Sequence, residues 1–161
     1  MLEDKVRVYK TRPAAKLPQR GHDTDAGMDF FFCPEELFFW TEEGGTTKTV
    51  KVEPGESTLL QTGIKMQVPS GCMLQIMNKS GVASKKQLVT GACVVDEGYE
   101  GEIFVNLQNI GKETQYIEPG QKIAQGVFVR IEKPSLRLIE VDSIYGASTA
   151  RGTGALGSTG V

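Results

Sequence analysis

The chain has one histidine, His22, and three cysteines, Cys33, Cys72 and Cys93, as its only imidazole and thiol metal ligands. No C-x-x-C or H-x-x-x-H spacing occurs, which excludes the common zinc architectures. The cysteines are odd in number, widely spaced and set in apolar or strand-like contexts. They read as reduced core residues, and the compartment expected from them is a reducing cytoplasm. An excess of basic residues is missing too: 18 Lys and Arg face 20 Asp and Glu, a net charge of −2. A general nucleic-acid or membrane-surface binder carries a positive surplus, so stable binding to nucleic acid or membrane is not expected. A local basic pocket for one small anion stays compatible with that balance. No apolar run approaches the ~20 residues that cross a bilayer, and Met1 to Lys10 alternates charge with valine, without a signal-peptide core.

Glycine is what the chain has in plenty, 19 of 161 residues. That is about 12% against roughly 7% in ordinary chains, which disfavours a helical bundle and points to many turns. The length suits one domain. Apolar and polar residues alternate over Val6–Tyr9, Ile64–Val68 and Ile103–Asn109, the period of a strand with one buried face. Further strands are expected at Met28–Cys33, Lys48–Val52, Ser57–Gln61, Met73–Met77, Gln87–Val89, Cys93–Val95, Gln115–Ile117, Ile123–Ile131 and Leu136–Val141. Pro54-Gly55, Pro69-Ser70-Gly71, Glu97-Gly98 and Pro119-Gly120 punctuate them as turns. Short strands at this spacing give an all-β sandwich, jelly roll or barrel. One short helix fits, near Ser80–Lys85.

Two segments stand apart. Pro34–Thr47 reads as an aromatic hairpin around Phe38-Phe39-Trp40, with a protein-partner patch as the sharper alternative. Ala147–Val161 is rich in Gly, Ser, Thr and Ala and has little to bury, so mobility without ligand is expected of it.

Residues capable of chemistry cluster around glycines. Asp25-Ala26-Gly27-Met28-Asp29 places two acids about a glycine, a pattern turns also favour. Asn78-Lys79-Ser80-Gly81-Val82-Ala83-Ser84-Lys85 joins small residues, a hydroxyl and two lysines, suited to a phosphate cradle or a solvated loop. It lacks the Walker A spacing. Val94-Val95-Asp96 ends an apolar strand in a carboxylate beside a tight turn that Tyr99 leaves. That acid suits a general base or an Asx turn. Arg151-Gly152-Thr153-Gly154-Ala155-Leu156-Gly157-Ser158-Thr159-Gly160 pairs a guanidinium with unhindered amides, as a polyphosphate wrap or a plain tail does.

Together and in this order, these pieces resemble the trimeric deoxyuridine triphosphate pyrophosphatases (dUTPases). Ala26-Gly27-Met28-Asp29 is similar to the family's A-G-x-D, and Lys79-Ser80-Gly81-Val82-Ala83 to its R-S-G-[LV]-A. Val94-Val95-Asp96 with Tyr99 and Gly101, the run Gly120–Gln125, and Arg151–Gly160 resemble the remaining three motifs. The resemblance implies an all-β jelly roll over residues 1–146, with 34–47 as an insertion hairpin of a kind viral and phage members carry. It implies a flexible C-terminal arm, 147–161, that closes a site of a homotrimer by arm exchange. It further implies hydrolysis of dUTP to dUMP and pyrophosphate with Mg²⁺, in a bacterial or phage-infected cytoplasm. That reaction limits uracil incorporation into DNA and supplies dUMP for thymidylate synthesis.

By the same resemblance Asp96 activates the water that attacks the α-phosphorus. Lys79, Ser80, Gly81 and Gln125 grip phosphate oxygens, and Arg151, Ser158 and Thr159 close on the terminal phosphates, with Leu156 and Gly157 beside the nucleotide. Val94, Tyr99 and Ile103 belong to the hairpin that reads the uracil edge and excludes a 2′-hydroxyl. Asp29 acts from the outer shell of the metal, through water, or by orienting basic neighbours. The chain departs from the pattern at Lys79, where arginine is usual, at Asn78 for proline, and at Leu156 for a stacking phenylalanine. Two alternatives accompany this reading. One is a dCTP deaminase-like enzyme, which needs a glutamate where the chain has Asn106. The other is a catalytically weak regulatory binding protein on the same fold.

Overall fold

The structure is a computed structural model, described here for residues 5–35, 39–40, 46–47, 49–142 and 144–153. Among the described residues thirteen strands and one helix follow in order: β1 Val8–Lys10, β2 Met28–Phe31, β3 Phe39–Trp40, β4 Thr46–Thr47, β5 Val50–Val52, β6 Ser57–Gln61, β7 Ile64–Met66, β8 Cys72–Met77, α1 Ser80–Lys86, β9 Leu88–Thr90, β10 Val94–Val95, β11 Phe104–Asn109, β12 Gln115–Ile117 and β13 Lys122–Arg130. All pairings are antiparallel. The largest sheet has the order β10-β8-β13-β2; the next is β6-β11-β9. The all-β architecture matches the expectation from period-two alternation.

That alternation is visible strand by strand. In β8 Cys72, Leu74 and Ile76 point inward, and in β11 Val105, Leu107 and Asn109 do so. With Phe30, Leu60, Ile64, Ile103, Ile117 and Ile123 they form one buried apolar cluster. Asn109 is buried as well but polar, and its amide donates to Val52 O at 2.9 Å and Glu113 O at 2.8 Å. A buried amide so engaged avoids the cost of an unpaired polar group. Helix α1 stops at Gln87, which takes a left-handed conformation (φ 52°), while Lys85 and Lys86 in its last turn face the negative end of the helix dipole. Cys33 and Cys72 are buried and none of the three cysteines is in a disulfide.

The chain divides into two units, Met1–Ile131 and Glu132–Val161. In the second, the described residues form neither helix nor strand. The strand expected over Leu136–Val141 is therefore absent, because a strand needs a partner edge and this segment has none within its own unit. Leu136 and Leu138 are 98% and 95% exposed. In the first unit β3 pairs with β4, Phe39 opposite Thr47 and Trp40 opposite Thr46, a hairpin inside the expected insertion. Phe38 lies outside the described residues.

Candidate active site

Register across three strands assembles the first half of the site. Gln125 on β13 stands opposite Asp29 on β2 and opposite Met77 on β8, so one row crosses the sheet at the end where β8 leads into α1. Asn78 and Lys79 follow directly. Lys79 Nζ reaches Asp29 Oδ1 at 2.7 Å, and Lys122 Nζ, from the start of β13, reaches Oδ2 at 2.7 Å. Gln125 Nε2 donates to Asn78 O at 2.9 Å. Asn78 Oδ1 accepts from Thr90 N at 2.7 Å and from Thr90 Oγ1 at 3.1 Å, which ties the β8–α1 junction to β9. Gly27 explains itself here: a Cβ on it would lie 2.3 Å from Gln125 Oε1, so only glycine leaves room for the amide.

Asp29 is 5% exposed. Burial by itself pushes its carboxyl up; hydrogen bonds from Lys122 and Lys79, together with their charges, overcome this and hold it below its usual value. The carboxylate is thus ionised at neutral pH. Two cations against one anion leave a local surplus of one positive charge in a chain of net charge −2. Lys122 is a residue of this cluster that the motifs do not single out. Its only signal in the sequence is its place inside the Gly120–Gln125 run. Ser80 and Gly81 are exposed on the first turn of α1, which no side chain caps.

The second half is the turn after β10. Tyr99 N donates to Asp96 O at 3.2 Å and Gly98 has φ 87°, the pattern of a type II turn. Asp96 is exposed at its head. Tyr99 folds back over Gly101, where a Cβ would lie 2.2 Å from the phenol oxygen, and its hydroxyl donates to Glu102 O at 3.0 Å. Val94 is exposed. Ile103, at the end of the hairpin limb, has its side chain buried in the core. Its N–H donates to Ile64 O at 2.8 Å and its carbonyl accepts from Thr62 Oγ1 at 2.6 Å, so it supports the turn from beneath. An open groove of about 390 Å³ runs beside Tyr99, lined also by Arg7, Tyr9, Lys65 and Gln67.

The two halves do not meet within the chain. Val94 pairs with Gln75 and Val95 with Leu74, so Asp96 continues toward Met73, whereas Lys79 lies beyond the other end of β8. Six residues of strand at ~3.3 Å each separate them by roughly 20 Å. Glu97 Oε2, next to Asp96, accepts from Gly71 N at 3.2 Å, which fixes that end. Arg151 is exposed in the second unit. Leu156, Gly157, Ser158 and Thr159 lie outside the described residues.

A family model described as dUTPase matches residues 45–160. The chain belongs to the dUTPase family. It is 36% identical over 158 residues to a deoxyuridine 5′-triphosphate nucleotidohydrolase of Alkaliphilus metalliredigens, covering 97% of both chains. Among solved structures it is similar to a Staphylococcus bacteriophage 80alpha dUTPase mutant with dUpNHpp, at a TM-score of 0.81 and 27% identity, over 98% of this chain and 99% of that one. It is also similar to a mutant dUTPase from phage phi11 of S. aureus, reported with the coordination of a structural Mg(II) ion. There the TM-score is 0.72 at 26% identity, over 87% of this chain and 99% of that one. These likenesses identify the antiparallel sheets as the dUTPase jelly roll.

Proposed function

We propose that the chain hydrolyses dUTP to dUMP and pyrophosphate as a homotrimer, in sites shared between copies. The observation that carries this is the separation just described. A cationic cradle, Lys79 with Gln125 held over Asp29, lies at one end of β8, and the exposed carboxylate Asp96 with Tyr99 lies at the other. A triphosphate is too short to bridge roughly 20 Å along one strand, so one copy supplies the phosphate cradle and another the base-reading turn.

In such a site Asp96 accepts a proton from a water as the water oxygen bonds to the α-phosphorus. The bond from that phosphorus to the bridging oxygen breaks, and pyrophosphate leaves with the electron pair. Lys79, Ser80, Gly81 and Gln125 bind phosphate oxygens; Arg151, Leu156, Gly157, Ser158 and Thr159 belong to the arm that closes over the nucleotide. Val94 and Tyr99 flank the nucleoside, with the phenol ring beside the deoxyribose. Fixed backbone groups of the turn discriminate against cytosine, whose donor and acceptor are reversed at positions 3 and 4.

The donor set fits a magnesium ion that arrives with the triphosphate. Among the described residues no three Asp, Glu, His or Cys side chains converge, and Mg²⁺ commonly keeps phosphate oxygens and waters as ligands. Bound there, it would neutralise charge on the phosphate chain. Both oxygens of Asp29 accept from lysine, so orienting Lys79 and Lys122 is the role its contacts support directly.

Asn106 speaks against the deaminase alternative. Its amide donates to Ser57 Oγ at 2.8 Å and Thr58 O at 3.1 Å, and it cannot exchange protons as a glutamate does. Pyrophosphate release from dUTP, measured for the protein and for Asp96→Asn, tests the whole reading. The substitution should cut kcat by about 10²–10⁴-fold, the usual contribution of a general base. Wild-type turnover that the change leaves untouched would remove Asp96 from the chemistry. Absence of turnover would favour a binding protein, and ammonia from dCTP would favour a deaminase.

A further inference from the structure

Arg12 and Glu102, the latter near the end of the Asp96–Ile103 stretch, form a nearly buried ion pair, their side chains 13% and 11% exposed. The Glu102 carboxylate ties its own limb to two other segments. Its Oε1 accepts from Arg12 Nη2 and from Gly63 N, the latter at 2.7 Å, and Oε2 lies 3.5 Å from Thr11 Oγ1. Arg12 extends the clamp, with Nε donating to Cys33 O at 2.9 Å and Nη1 to Thr11 Oγ1 at 3.1 Å. The loop after β1 and the β6–β7 turn thus hold one residue of the returning limb directly, and Cys33, just past β2, does so through Arg12. Glu102 is also the residue whose carbonyl accepts the Tyr99 hydroxyl, at 3.0 Å.

The arrangement is costly for a surface decoration. A buried pair of opposite charges gives up hydration that its attraction only partly offsets, and each partner must keep its remaining hydrogen bonds. A plain apolar contact would anchor the limb as well. A guanidinium fork adds direction: it sets where Glu102 sits along the limb, and with it the acceptor that fixes the tilt of the Tyr99 ring over Gly101.

We infer that the Arg12–Glu102 pair is a positioning device for substrate selection, holding Tyr99 at the distance that admits deoxyribose and refuses ribose. This rests on the proposed placement of Tyr99 beside the sugar. Neither residue touches substrate; they act through Tyr99 and the limb beneath it.

The test is the ratio of kcat/KM for dUTP over UTP. Glu102→Ala should lower that ratio by about tenfold or more, the scale on which a loosened pocket loses discrimination, chiefly by raising activity on UTP relative to dUTP. Glu102→Gln, which still offers an acceptor to Gly63 N, should recover most of it. If Glu102→Ala does not fold, Arg12→Lys serves. It keeps the charge but cannot reach Cys33, Thr11 and Glu102 at once, and its ratio should fall as well. Tyr99→Ala is measured alongside and should also lose the preference. Equal losses on both substrates in the Arg12 and Glu102 variants, with Tyr99→Ala selective, would overturn the inference and leave the site assignment standing. An unchanged ratio in Tyr99→Ala would overturn the placement of Tyr99, and the inference with it.

Discussion

Lys79 Nζ lies 2.7 Å from Asp29 Oδ1, so the cation at the mouth of the proposed phosphate cradle is pinned by a buried acid. Lys122 holds the other oxygen of the same carboxylate. A lysine ammonium is a point charge on a flexible stem and lacks the planar fork of the arginine usual at this position in dUTPases. The pin supplies the direction that the side chain itself lacks.

Asp29→Asn should therefore act on both stability and substrate binding. The amide cannot neutralise two lysines that are partly open to water, and the loss expected is about 1–3 kcal/mol. With Lys79 released, KM for dUTP should rise more than kcat falls. Urea unfolding and steady-state kinetics on the same preparation check both. A variant as stable as the parent, with unchanged KM, would show that the ion pairs do not organise the cradle.

The same pair makes a pH prediction with a definite sign. The Asp29 carboxyl is held below its usual value in the folded chain, while unfolded it titrates near ~3.9. The folded state then binds the proton less readily than the unfolded one, so this contribution is complete above about pH 5 and lost as pH falls below about 4. The stability difference between the parent and Asp29→Asn should be flat from pH 7 to 5 and shrink in more acid solution. Growth of that difference on acidification would reverse the assignment.

Gly27→Ala separates the site from the fold. The new methyl would meet the end of the Gln125 side chain, 2.3 Å from its Oε1, and not the backbone. Gln125 can swing away, at the expense of its bond to Asn78 O. Thermal stability should move little, and KM for dUTP should rise severalfold. Combined with Gln125→Ala, the second change should add almost nothing, since both remove one interaction. Full additivity in a double-mutant cycle would refute the coupling.

Much of the fold could be read along the chain because its signals are local. Alternation over Ile103–Asn109 returns as the inward Val105, Leu107 and Asn109 of β11, and the short helix begins at Ser80. Long-range contacts left no such trace. Arg12 and Glu102 are 90 residues apart and Asp29 and Lys79 are 50 apart, and only the tertiary fold brings them together. That the Ile103 side chain faces the core could not be read from its motif either, because a motif gives the order of residues, not which face of a limb turns inward. The expected strand at Leu136–Val141 failed for a related reason: alternation shows that a segment can pair, but not where its partner edge is.

That missing edge and the split site make one joint prediction. If Asp96 of one copy works with Lys79 of another, each single variant, Asp96→Asn or Lys79→Met, should be nearly inactive alone. Mixed trimers refolded from equal parts should regain activity, because some sites draw Asp96 from one parent and Lys79 from the other. Random assortment in a cyclic trimer gives about a quarter of wild-type activity. Leu136→Asp with Leu138→Asp should abolish the rescue. Those leucines are almost wholly exposed in the single chain, and burying each against a second copy is worth about 1.5–3 kcal/mol. Light scattering would then report monomers where the parent gives trimers. A mixture with no more activity than its components, although trimeric by scattering, would place Asp96 and Lys79 in the same copy's site and refute shared sites.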